Sequence, residues 1–340
     1  MKAVELRALG VEHLHLVERA DPVPGPGEVL VRVRAASLNF RDLVVARGGY
    51  GPRMRLPLVP CSDGAGEVLA VGDGVRELTA GDRVLACFFQ DWPAGLPTRR
   101  RLVDSLGGPL DGTLREQMVL RADGVVRLPD HLSFAEAATL PCAAVTAYNA
   151  LAVLDRVGPE HTVLVQGTGG VSLFALQIAK MLGARVIVTS KSDAKLERAR
   201  ALGADHGINY ATTPDWGSRA KELTGGEGVD HVVEVGGAGT LEQSLRAVAV
   251  GGCVSLVGVL AGAEQALRLP LVFLRQVRLQ GVVVGSRDTT ERMLRAMGGH
   301  RLRPVIDERR FAMGDIRAAL AYLAAGEHFG KVVVDIDEHA

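Results

Sequence analysis

Aromatic residues make up only 4% of this 340-residue chain, and its charges cancel, with 39 basic side chains against 39 acidic ones. The balance leaves no global field of the kind that draws a protein onto nucleic acid or an anionic membrane, so the expected partner is a small molecule. Cysteine is scarce too. Cys61, Cys87, Cys142 and Cys253 lie far apart and include no C-x-x-C pair, which argues against a disulfide framework or a four-cysteine zinc lobe and for reduced thiols. Long apolar runs are missing: Val282–Gly285 and Val332–Val334 fall far short of the roughly 20 residues of a membrane helix. Met1–Leu9 has no signal-peptide apolar core, and the expected location is the cytoplasm. The nine histidines supply no metal pair, since His13 and His15 stand two apart on an expected strand and the others are scattered.

What is present is enough apolar material, 47% of the residues, to give two domains a core each. From Met1 to about Leu128 the text is strand-like. Val29, Val31 and Val33 alternate with Leu30, Arg32 and Arg34, and glycine and proline clusters punctuate short apolar runs, as in an antiparallel barrel. One helix is expected from near Asn39, carrying Leu43, Val44 and Arg47. From about Ala143 strands alternate with helices, the pattern of a parallel sheet with crossovers. Six strands are expected: Val163–Val165, Arg185–Thr189, Gly207–Tyr210, His231–Val235, Val254–Val257 and Gln280–Val284, which suffices for a complete α/β dinucleotide fold. Helices over Thr289–Met297 and Asp315–Ala325 and a strand over Lys331–Ile336 close the chain. Phe89–Gly112 reads as a long irregular loop, with the triplet Arg99–Arg101 either a solvated surface or a lid over an anionic substrate.

The run Gly167, Thr168, Gly169, Gly170, Val171, Ser172 follows a strand and opens a helix. Gly167 suits the tight reversal, Gly169 allows backbone to approach a pyrophosphate, and the helix N-terminus offers unpaired N–H groups. Ser172 stands where a third glycine is usual, and it is small enough for helix and strand to pack closely. The next strand ends in Ser190 with Lys191 beside it and Lys195 a turn later. No acid stands there to bind a ribose and repel a 2′-phosphate, so these residues favour NADP(H). The alternative leaves both lysines as surface charges, with Asp193 a possible pairing partner.

Taken in order, Pro24–Val31, Leu38–Leu43, Pro57–Pro60, Asp63–Glu67, Gly81–Val84, Gly167–Val171, Leu202–Asp205 and Phe329–Lys331 resemble the medium-chain dehydrogenase/reductase superfamily over almost the whole chain. The resemblance implies a GroES-like catalytic domain over 1–142, a six-stranded parallel Rossmann domain over 143–286, and a return to the first domain over 287–340. The superfamily's catalytic zinc ligands match Asn39, Ser62 and Cys142, of which only the last is a metal-binding type. Cys61 and Asp63 are the other groups available to join it, but carboxamide and hydroxyl are poor substitutes, so no metal is expected and Cys142 is taken as a small core residue.

Among zinc-free members the chain is most similar to quinone oxidoreductases and the enoyl reductases of polyketide synthases, through Leu38–Leu43 followed by Gly49 and Tyr50. That implies hydride transfer from NADPH to an activated alkene or a quinone. A metal-free alcohol or carbonyl reductase and a non-catalytic NADPH-binding protein are the alternatives. The resemblance further implies catalytic roles for Asn39, Arg41 and Tyr50, though Arg41 serves equally as an ion-pair partner of Asp42 or Asp63, and Tyr50 as a pocket wall. It implies cofactor contacts for Asn39, Thr146, Gly236, Val259 and Gly285, with Tyr210 toward the adenosine phosphate and Lys331 toward the nicotinamide. Finally, it implies a homodimer formed by pairing of the Gln280–Val284 edge.

Overall fold

The computed structural model describes residues 1–49 and 54–336. They form two compact units, one of Met1–Val145 with Val284–Ala340 and the other of Thr146–Val283.

The first unit opens with a hairpin-like pair, β1 (Lys2–Leu6) and β2 (Leu14–Glu18). The ten-residue β3 (Glu28–Ser37) follows, with Val29, Val31 and Val33 turned inward as the alternation requires. Helix α1 (Phe40–Ala46) is closed at its start by a reciprocal capping box, in which Asn39 and Asp42 satisfy one another's backbone N–H groups. Strands β4 (Asp63–Val71), β5 (Arg83–Ala86), β6 (Gln117–Arg121) and β7 (Val125–Arg127) and the short helix α2 (Phe134–Ala138) complete this part. Two π-helical stretches, Leu140–Ala144 and Asn149–Leu154, flank α3 (Val145–Tyr148), and the second unit begins within α3, at Thr146.

The second unit is a doubly wound sheet. Its strands are β8 (Thr162–Gln166), β9 (Arg185–Ser190), β10 (His206–Asn209), β11 (Val229–Glu234), β12 (Val248–Leu256) and β13 (Arg278–Gly281). All pair in parallel, in the order β10-β9-β8-β11-β12-β13. The chain therefore reverses its direction of winding between β8 and β11, the switch point at which such sheets bind ligands. Helices α4 (Gly170–Met181), α5 (Asp193–Ala201), α6 (Trp216–Leu223), α7 (Leu241–Ala247) and α8 (Pro270–Phe273) cross between strands. Every residue of β8 is buried, and α4 covers it with Leu173, Phe174, Leu176 and Ile178. Removing one such side chain, Phe174→Ala, costs about 3–5 kcal/mol.

The tail then returns to the first unit. Helix α9 (Arg287–His300) is capped by Ser286, whose Oγ accepts from the N–H of Thr289. Strand β14 (Ile306–Ala312), helix α10 (Ile316–Ala325) and strand β15 (Lys331–Asp335) follow. The resulting seven-stranded sheet runs β14-β15-β3-β4-β5-β7, with β6 also on β3.

Three features differ from the sequence expectations. The last parallel strand ends at Gly281 rather than Val284, because Val284 takes a left-handed φ of 45° that no strand accommodates. Strand β14 is a charged Asp-Glu-Arg-Arg run with only Asp307 and Phe311 buried, so no apolar alternation announces it. The units divide after Val145 and after Val283, within three residues of 142 and 286. A Cβ on Gly285 would meet Val145 Cγ1 at 2.8 Å and Thr289 Cγ2 at 3.0 Å, and this close packing joins both stretches to the first unit.

Candidate cofactor and active site

In the second unit the glycine turn sits at the carboxyl end of β8. Gly167 takes φ +74° and a Cβ there would meet nothing within 4 Å, so the turn is open on its outer side. Gly169 is the N-cap of the twelve-residue α4 and has no side-chain cap. The helix thus presents its first backbone N–H groups, Gly170 and Val171 among them, and a positive dipole end, with Thr168 held in the turn. Ser172 is buried and donates to the carbonyl of Gln166 at 2.6 Å, tying helix to strand where a third glycine is usual.

At the neighbouring strand ends Ser190 is buried and its Oγ accepts from the N–H of Ser192, while Tyr210 donates its N–H to the carbonyl of Ser190 and is 40% exposed. Lys191 is exposed at the end of β9 and Lys195 lies in the first turn of α5. Asp193 accepts from Asn209 Nδ2 at 2.8 Å. The structure thus gathers Ser190, Lys191 and Tyr210 at one corner, suited to a phosphate-bearing ribose.

Beyond the switch point, Gly236 lies in the loop after β11, and a Cβ on it would overlap Thr240 Oγ1. Val259, after β12, is 55% exposed, and Thr146, the first residue of this unit, is buried. Sequence reasoning missed a polar knot beneath this loop. Glu234 and Gln166, both buried, close two apolar strands and bond to one another. A buried polar residue at the end of an apolar run was the available sign.

The first unit carries a buried ammonium. Lys331 is 3% exposed, and its Nζ donates to the carbonyl of Leu38 at 2.6 Å, to Asn39 Oδ1 at 2.6 Å and to Asp63 Oδ2 at 3.4 Å. Ser62 Oγ donates to Asp63 Oδ1 at 2.8 Å, and Asn39 Nδ2 reaches Ser62 Oγ at 3.5 Å. Since an ammonium only donates, it fixes the orientation of the Asn39 carboxamide, with the oxygen toward Lys331 and the NH2 as the donor, on the side of Ser62. Cys142 is half-buried rather than the core residue expected. Burial pushes its thiol up, and the Asp63 charge adds to this.

Zinc fits this set poorly. The one acceptor oxygen of Asn39 already receives Lys331, the Ser62 hydroxyl is turned to Asp63, and a fixed cation stands among the ligand positions.

Arg41 is built into the 105–108 loop. Its guanidinium donates to the carbonyls of Leu106 at 2.9 Å and Gly108 at 2.6 Å and to Ser105 Oγ at 3.2 Å, and lies 4.8 Å from the centroid of Phe88. Asp42 is buried, and burial raises its carboxyl to about 6 against the opposing charge of Arg41 and the N–H of Asn39. The Arg99–Arg101 triplet serves its own loop, through Arg100 to Asp91 and Arg101 to the carbonyl of Leu96. Tyr50 lies outside the described residues.

One group of metal-ligand types gathers among the described residues, in the second unit: Asp155, His231 and Cys253. Their separation in the chain hid it from sequence reading. Burial works to raise the Asp155 carboxyl, but bonds and charges from His231 and Arg278 outweigh it and hold the group below the usual range. Arg278 already supplies the cation, and the cluster is an ion-pair network across the paired positions His231, Cys253 and Arg278 of β11, β12 and β13.

The reversed strand order and open glycine turn define a dinucleotide-binding fold. A model of the alcohol dehydrogenase GroES-like domain matches residues 25–130, and one described as zinc-binding dehydrogenase matches residues 170–298. The chain is 44% identical over 318 residues to a zinc-type alcohol dehydrogenase-like protein of Schizosaccharomyces pombe, spanning 92% of each. It is 32% identical over 298 residues to an acryloyl-coenzyme A reductase of Metallosphaera sedula, spanning 85% of this chain and 86% of that one. The structure of an NAD-dependent alcohol dehydrogenase superposes with a TM-score of 0.91 at 37% identity, covering 99% of this chain and all of the other. Escherichia coli quinone oxidoreductase in complex with NADPH gives a TM-score of 0.85 at 26% identity, with 98% and 100% covered. The chain belongs to the medium-chain dehydrogenase/reductase superfamily and is an oxidoreductase of the alcohol dehydrogenase type.

Proposed function

We propose that this protein is a zinc-independent, NADP(H)-dependent reductase acting on an activated C=C bond, as in an enone or enoyl thioester, or on a quinone. The observation that carries the reading is the Lys331 ammonium among the metal-ligand positions. With the Asn39 oxygen held by Lys331, charge developing on the substrate oxygen is assigned to N–H donors rather than to a Lewis acid. Asn39, its oxygen taken by Lys331, offers Nδ2 to that oxygen or to a ribose hydroxyl, and Lys331 acts as the residue that positions it. Arg41 is assigned to holding α1 against the 105–108 loop rather than to the chemistry. Tyr50 is retained as the candidate acid that protonates the α-carbon.

The cofactor supplies the hydride. Gly167–Val171 would hold its pyrophosphate, and Ser190, Lys191, Lys195 and Tyr210 its 2′-phosphate. Thr146, Gly236, Val259 and Gly285 are assigned to its nicotinamide half. The substrate class is supported by the similarity to an acryloyl-coenzyme A reductase and a quinone oxidoreductase.

A metal-free alcohol or carbonyl reductase is the second reading, favoured by the similarity to the fission-yeast protein and the NAD-dependent alcohol dehydrogenase. The test is a panel of enones, enoyl thioesters, quinones and aldehydes with NADPH and NADH. Saturated ketone from an enone is expected; allylic alcohol would favour the second reading, and cofactor binding with no turnover a non-catalytic NADPH-binding protein.

We further propose a cytoplasmic homodimer. The outer edge of β13 is an end of the sheet, and pairing with a second copy would cover it. No helix among the described residues is long and apolar enough to cross a membrane. A monomeric mass in light scattering at micromolar concentration would refute the dimer.

A further inference from the structure

Glu234 and Gln166 end the two strands that border the switch point, and each is followed by a loop facing the same crevice. Glu234 is fully buried and receives five hydrogen bonds. Its Oε1 accepts from the N–H groups of Gly236 at 2.8 Å and Gly237 at 3.0 Å and from Thr240 Oγ1 at 2.7 Å. Its Oε2 accepts from Gln166 Nε2 at 2.7 Å and from Ser244 Oγ. Gln166 returns the link, its Oε1 taking the N–H groups of Val235 at 3.2 Å and Gly236 at 3.3 Å. The next residue after Gln166 is Gly167 of the phosphate turn.

Only a carboxylate, which accepts at both oxygens and donates at neither, matches five converging donors. This is more than closing a strand end requires. It sets the conformation of residues 235–240 and locks that loop to the stem of the phosphate turn.

We propose that Glu234 is a positioning residue for the dinucleotide, joining the phosphate turn and the loop after β11 into one preformed cradle, so that the affinity of the whole cofactor exceeds that of its adenosine fragment. The proposal rests on the reading that this unit binds a nicotinamide dinucleotide. Ser190 and Lys191 place the adenosine end on the β9 side of the crevice, so the remaining half falls on the β11 side, where the Glu234 loop lies.

The substitution Glu234→Gln has a defined fault. Its NH2 cannot face Gly236 and Gly237, whose N–H groups are fixed, and so must face Gln166 Nε2. Flipping the Gln166 amide would only transfer the clash to Val235 and Gly236. Adding Gln166→Glu restores the match, with the carboxylate now at 166.

The test titrates apo protein with NADPH, NADH and 2′,5′-ADP, and follows thermal unfolding of the apo form. For Glu234→Gln the affinity for the whole dinucleotide should fall about ten- to a hundredfold and that for 2′,5′-ADP less than about threefold. The double variant Glu234→Gln with Gln166→Glu should recover most of the loss. Thr240→Val, which removes one donor and keeps the side-chain shape, should show the same split at about three- to tenfold, and it decides the matter if Glu234→Gln fails to fold. Equal losses for whole cofactor and fragment, or no loss, would overturn the positioning role while leaving the cofactor reading intact. Wild-type protein that binds neither dinucleotide would remove both.

Discussion

The phosphate turn and the Lys331 network are built in opposite ways. The turn is made of consecutive residues, Gly167 to Ser172, and works through backbone: an open glycine at φ +74° and an uncapped helix start. The network is made of side chains, and Asn39 and Lys331 that meet at 2.6 Å stand 292 positions apart. A backbone device tolerates substitution of what surrounds it, whereas a buried charge network depends on every member, since removing one leaves the others unpaired in a low dielectric. The second unit is therefore expected to bind cofactor through a robust local motif, and the first to lose structure and activity together when its centre is cut.

Cutting that centre should give the largest effect. Lys331→Met leaves Asp63 buried without its cation and Asn39 without its fixed orientation. We expect a loss of about 3–5 kcal/mol in denaturant unfolding, with Lys331→Arg recovering part. A loss under about 1 kcal/mol would show that the network is not what holds this region.

Asp42 probes the same region through pH. Its folded carboxyl is raised from 3.8 to about 6, so between those values the folded state binds more protons than the unfolded state. Stability from this group is full below about pH 4 and declines as pH rises through about 6. The shift corresponds to about 3 kcal/mol. Asp42→Asn should remove that decline, and unfolding free energies measured from pH 4 to 7 should diverge from wild type by that order. Parallel curves would refute the raised value.

On the other side of the comparison, Lys195→Glu should weaken NADPH binding about ten- to hundredfold and NADH binding much less, since one charged phosphate contact is worth about 1.5–3 kcal/mol. Equal effects would mean that the lysine does not read the phosphate. The smallest expected effect is that of a strong chelator: protein with far less than one zinc per chain and unchanged turnover. Stoichiometric zinc whose removal abolishes activity would break the contrast, by making the first unit a metal site after all.

The fold was largely legible because its determinants are local. Apolar runs such as Val163–Val165 and the helical spacing of Phe174, Ala175 and Ile178 state period and burial directly. The glycine turn could be read from its own six residues, since Gly167 meets a backbone requirement that no distant partner changes. The residue types at Asn39 and Ser62 were legible in the same way, because ligand chemistry belongs to residue type. The rest had no local cause. Lys331 was singled out by the resemblance alone, toward the nicotinamide, and only the pairing of β15 with β3 carries it beside Leu38 and Asn39. Arg41 had charged neighbours in the chain, yet the tertiary structure gave its guanidinium to the carbonyls of the 105–108 loop. Strand β14 exists through pairing with β15 rather than through apolar alternation. Glu234 and Gln166 are 68 positions apart, and adjacent parallel strands bring them together. Residue type and local period determined the class of fold, the phosphate turn and the kind of chemistry available. Which polar groups face one another was decided by strand pairing, because hydrogen bonds and buried charges act over about 3 Å and that distance is set by the fold, not by separation along the chain.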